Sequence, residues 1–114
     1  AVIEARNNRG CSALHLAASN SHHHTVKVLL EYHADIAARD NRGCSALHLA
    51  ASNSHHHTVK VLLENNAVIE ARNNRGCSAL HLAASNGHED TVGLLLENNA
   101  VIEARNKVRL FVCV

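Results

Sequence analysis

Two runs of three histidines, His22–His24 and His55–His57, stand 33 residues apart and form the densest set of chemically capable side chains in the sequence. Neutral imidazole is a ligand for zinc, copper and nickel. Adjacent residues of a helix diverge by about 100°, so one triplet cannot close on an ion alone. Neighbouring helices do better. The in-register pairs His23 with His56 and His24 with His57 are expected about 10 Å apart, within reach of two imidazoles on one ion. Two protein ligands make a weak site that a partner molecule would complete. The plainer reading of His23, His24, His56 and His57 is solvated surface, and sequence alone favours it.

Cys11, Cys44 and Cys77 recur at the same 33-residue spacing. Equivalent positions on stacked helices lie roughly 8–10 Å apart, and a disulfide needs Cα atoms within about 7 Å. Free thiols are therefore expected, which suits a reducing cytosol and gives a cytoplasmic expectation. No Cys-x-x-Cys is present, and no nucleophile–base–acid set or phosphate loop points to an enzyme. Seven arginines (Arg6, Arg9, Arg39, Arg42, Arg72, Arg75 and Arg105) fall at turn-rich segments, where guanidinium groups suit carboxylate or phosphate partners. Glu4, Glu70 and Glu103 compete with that reading by neutralising the ladder locally. Net charge is +1 with histidine neutral, so no global field argues for nucleic acid or membrane. No apolar run is long enough for a membrane span.

The elements that position these residues follow from the repeat. GCSALHLAA occupies residues 10–18 and returns unchanged at 43–51 and 76–84. Gly10–Glu31 equals Gly43–Glu64 at every position, which implies a very recent duplication or a made sequence. A fixed period of this length marks stacked units, each burying its apolar face on its neighbours, and three units are the usual minimum. The units run Asn7–Arg39, Asp40–Arg72 and Asn73–Arg105. In each, Ser12 or its counterpart is an N-cap before a short Ala/Leu helix. Ser19–Ser21 breaks that helix, and a second, about His23–Glu31, carries Val26, Leu29 and Leu30 as an amphipathic stripe. His33 and Asn66 suit a left-handed helix end. With one Phe, one Tyr, no Trp and no Met, the core must be aliphatic.

These residues resemble ankyrin repeats. The period matches, and the family's Thr-Pro-Leu-His-x-Ala reads as Ser12–Ala17 and again from Ser45 and Ser78. The family's Asn-Gly-His turn survives intact as Asn86–His88, while Ser21 and Ser54 replace its glycine. The resemblance covers about residues 1–106. It implies an all-α solenoid of three helix-turn-helix repeats with projecting β-hairpin-like loops, and protein binding without catalysis or cofactor. It also implies that His15, His48 and His81 bond backbone in neighbouring loops. By resemblance, a concave face would comprise Asn8, Arg9, Cys11, Ser19, Asn20, Arg39, Asn41, Arg42, Cys44, Ser52, Asn53, Arg72, Asn74, Arg75, Cys77, Ser85 and Asn86. The partner expected there is a protein, acidic by the arginine argument.

The alternative is a metal-responsive or self-assembling structural protein. Zinc or nickel would sit at the added histidines, and uncapped end faces would stack head to tail. The tail at residues 107–114 departs from the family and is apolar, suited to covering the last helix pair.

Overall fold

The structure, a computed structural model, describes residues 2–98. Among the described residues are six helices and no strand: α1 (Ala13–Ser19), α2 (His23–Glu31), α3 (Ala46–Ser52), α4 (His56–Glu64), α5 (Ala79–Ser85) and α6 (Glu89–Glu97). The end of the third unit and the tail lie outside the described residues, so the expected tail cap does too. Each unit packs its two helices together. The helices α1, α3 and α5 form one row, and α2, α4 and α6 form a second behind it.

Local chemistry sets the helix ends. Ser12, Ser45 and Ser78 are extended N-caps at ψ near 175°, and each begins a capping box whose fourth member is the repeat histidine. The first helix of each unit then ends on a left-handed residue: Ser21 at φ 62°, Ser54 at φ 59° and Gly87 at φ 72°. Beyond Ala18, the Ser21 amide returns to the Ala18 carbonyl at 3.3 Å and the His22 amide to the Ala17 carbonyl at 2.9 Å. That is the two-bond cap of a helix C-terminus. The second helices end the same way, with His33 at φ 68° and Asn66 at φ 67°, as their residue types lead one to expect. Asn99, the third counterpart, lies outside the described residues.

Identical sequence gives different burial according to what stacks on it. Val28 in the first unit is 49% exposed, while Val61, its copy in the second, is 6% exposed. Ala13 and Thr25 are exposed, while Ala46 and Thr58 are buried. Covering one valine is worth about 1.5–3 kcal/mol, so each added unit stabilises the one it lands on. The core is aliphatic, as composition requires: Leu47, Leu62, Leu95, Val26 and Val59 are its largest fully buried apolar members.

The expectation of free thiols fails at one position. Cys77 is disulfide-bonded, while Cys11 and Cys44 are free. The bond therefore does not run along the cysteine ladder, and the spacing argument holds for ladder pairs. No helix among the described residues is long and apolar enough to cross a membrane.

Serine pays a steric cost at a left-handed position that glycine does not. A Cβ at the equivalent Gly87 would meet nothing within 4 Å, so the cost at Ser21 is backbone conformation rather than crowding. Ser21→Gly is expected to stabilise the fold by about 1 kcal/mol. The measurement is a urea midpoint that rises at constant slope. An unchanged or lowered midpoint would refute this account of the turn.

Candidate recognition face

The loops between units are built from one amide or carboxylate each. Asn7 Oδ1 accepts from the amides of Arg9 and Cys11 at 2.9 and 3.0 Å. Asp40 does the same for Arg42 and Cys44, and Asn73 for Arg75 and Cys77. This short turn lets the chain double back without a strand pair. Gly43, at φ 78°, completes it where a Cβ would approach the Asn74 amide nitrogen to 2.8 Å.

Each loop is then tied to the next. The Asn41 amide donates to the Arg9 carbonyl at 3.0 Å, and its side-chain amide donates to the Asn8 carbonyl at 3.1 Å. Asn74 repeats both bonds onto Arg42 and Asn41. Arg6 donates to the carbonyls of Gly10 and Arg39, at 3.0 and 2.5 Å. Arg39 donates likewise to Gly43 and Arg72, and Arg72 to Gly76 at 3.0 Å. The arginine set thus splits. Arg6 and Arg39 pin one loop to the next and Arg72 closes its own turn, while Arg9, Arg42 and Arg75 are exposed at the tips.

Behind the loops lies a buried relay. The Ser45 amide donates to His48 Nδ1 at 3.0 Å, so that nitrogen carries no proton. The proton is on Nε2, which donates to the Cys77 carbonyl of the next unit at 2.9 Å. His15 makes the same link from the Ser12 amide to the Cys44 carbonyl, at 3.1 and 3.0 Å. The role implied by the family resemblance is therefore met at His15 and His48. The Ser45 hydroxyl lies 2.9 Å from His48 Nδ1, the contact of a nucleophile and its base. Both residues are buried and the far ring nitrogen is engaged, so the pair is structural. Burial holds His48 below the ordinary imidazole pKa, outweighing the opposing pull of the Cys77 carbonyl.

The turn histidines of the second and third units are also structural. His55 Nε2 donates to the Ser19 carbonyl at 2.9 Å, and His88 Nε2 to that of Ser52 at 2.8 Å. Asn53 and Asn86 add bonds to the same two carbonyls.

Two grooves result. The larger, about 850 Å³, is lined by Asn8, Arg9, Cys11 and Ser19 from the first unit and Asn41, Arg42, Ser52 and Asn53 from the second. The smaller, about 460 Å³, brings Arg42, Cys44 and Ser52 to Asn74, Arg75 and Asn86. Asn20, Arg39, Arg72, Cys77 and Ser85 line neither groove, and Cys77 is fully buried. Sequence reading missed the apolar floor, formed by Leu16, Leu49 and Leu82. The signal was present: Leu14 and Leu16 are two residues apart on a helix, so when Leu14 is buried Leu16 faces away. Leu16 is 45% exposed.

The thiols are not activated. Burial, aided by the Asp40 carboxylate, pushes the Cys11 thiol up against the weaker pull of Arg9, Arg42 and Arg6. Burial raises Cys44 as well. Desolvation is the largest influence at both.

The pattern for ankyrin repeats (3 copies) matches residues 2–73 and 33–106. This chain belongs to the ankyrin repeat family. Such repeats generally mediate protein–protein interaction. Among curated proteins, none matches the chain. In these ankyrin repeats the groove walls are side chains whose spacing is fixed by backbone bonds between loops.

The sign of the pH dependence follows from His48. Its folded pKa lies below that of the unfolded chain, about 6.5, so the unfolded state takes the proton first. Above that pH the residue contributes no pH dependence. As pH falls through it, stability is lost. Tm should therefore drop between pH 7.5 and pH 5, and His48→Gln should cost about 1–3 kcal/mol at pH 7.5 while flattening the acid slope. A Tm independent of pH across that range would contradict the relay.

Proposed function

We propose that the chain is a non-enzymatic binding scaffold whose groove face takes an acidic segment of a partner protein. The observation that carries this reading is the fate of the arginines. Arg9, Arg42 and Arg75 remain exposed at one spacing over the grooves, whereas the arginines three residues before each are spent on loop carbonyls. Guanidinium groups at a fixed repeat favour carboxylates through paired, charge-assisted hydrogen bonds. The Asn8 side chain and the Oδ1 atoms of Asn53 and Asn86, whose NH2 groups bond the preceding unit, supply polar contacts beside them, and the exposed part of Leu16 supplies apolar area. Both grooves are open to solvent and run across adjacent units, which fits an extended segment.

Selection of binders from a displayed random peptide library tests this reading. Peptides recovered on the wild-type chain should be enriched in Asp and Glu. They should bind Arg9→Ala/Arg42→Ala/Arg75→Ala at least about tenfold more weakly and lose affinity with salt. Recovered peptides without acidic enrichment, or equal binding to both chains, would overturn it.

A further inference from the structure

The second helices carry a cluster the recognition face does not use. The sequence pairs the histidines in register, but the structure pairs them on the diagonal. The rings of His23 on α2 and His57 on α4 are 5.8 Å apart, tilted by 36°. The remaining ring contacts, His23 with His24 at 4.2 Å and His56 with His57 at 4.3 Å, join adjacent residues of one helix. Two imidazoles bound to one tetrahedral ion through metal–nitrogen bonds of about 2.0–2.1 Å hold their ring centres roughly 5 Å apart. The diagonal pair is within a small side-chain rotation of that spacing. His57 is exposed and His23 half-buried, so both rings have room to turn.

We propose that His23 and His57 together hold one borderline divalent transition-metal ion, nickel or zinc, clamped between α2 and α4. Among the described residues no group of three or more ligand-type side chains stands ready to hold an ion. The site is therefore bidentate, with water or a partner's donor in the remaining positions. Imidazole suits these ions, and no carboxylate competes in the first turn of either helix. Partial desolvation, then the imidazoles of His24 and His57 and the Lys27 ammonium, hold His23 below its ordinary pKa. Lys27 also repels a dication, which limits affinity. The same diagonal one unit further on joins His56 to Asp90, and His56, His57, Lys60, Glu89 and Asp90 line a separate groove. The two-imidazole site therefore belongs to the first two units alone.

Calorimetric titration of the untagged chain with nickel chloride at pH 7.5 tests this, with circular dichroism confirming that each variant is folded. One ion per chain is expected. His23→Gln or His57→Gln should each weaken binding by about tenfold or more, while His24→Gln, His56→Gln and Asp90→Asn stay within about threefold. Cys11→Ser should leave binding unchanged, which excludes the accessible thiol. Nickel should also raise Tm at pH 7.5 and not at pH 5, where protons displace it. Equal loss from all four histidine variants would mean unspecific imidazole binding and would overturn the proposal. Loss from Asp90→Asn would place the ion in the other groove, and no binding at all would remove the site.

Discussion

In each of the first two units, one buried imidazole joins three levels of this structure. Through Nδ1 it accepts the amide at the start of its own helix, and through Nε2–H it reaches the carbonyl that precedes the next helix. The Ser45 amide would otherwise be buried without a partner, at about 1–3 kcal/mol, while the Cys77 carbonyl also accepts the Asn73 amide at 2.9 Å. Because Nδ1 must accept and Nε2 must donate, only the neutral ring in one tautomer satisfies the geometry. The distance between units is therefore set by a rigid ring instead of by apolar packing, which tolerates sliding.

The loops inherit that spacing. Once the Cys44 and Cys77 carbonyls are fixed, the Asn41 and Asn74 amides fall against the preceding loop, and Arg39 spans to the Arg72 carbonyl. Every group consumed in this way is lost to a partner. What remains for recognition is the set that points past the bonded layer: the tip arginines and the outward leucines. The face is a remainder, defined by which polar groups the stack needs for itself.

Much of this was legible from residue types. The 33-residue repeat fixes paired helices, Ser12 marks a helix start, and His33 and Asn66 tolerate the left-handed conformation that ends the second helix. The different fates of Arg6 and Arg9 were not legible. Both are arginines in the same turn, and what separates them is a carbonyl 33 residues away. Nor was the diagonal pairing of His23 with His57, because a repeat suggests contacts in register, whereas side-chain directions on packed helices decide which rings meet. The disulfide at Cys77 escaped because spacing along the ladder says nothing of a partner off it. In each case the missing information was three-dimensional register, which identical sequence units do not encode one at a time.

The relay is the constraint on which the spacing and the face depend. Its most direct test is nitrogen-15 NMR of the imidazoles in the folded chain. His15 and His48 should each show a protonated Nε2 and an unprotonated Nδ1, and His48 should resist protonation well below the pH at which the unfolded chain titrates. A protonated Nδ1 at either residue, or a His48 that titrates as it does in the unfolded chain, would contradict the account.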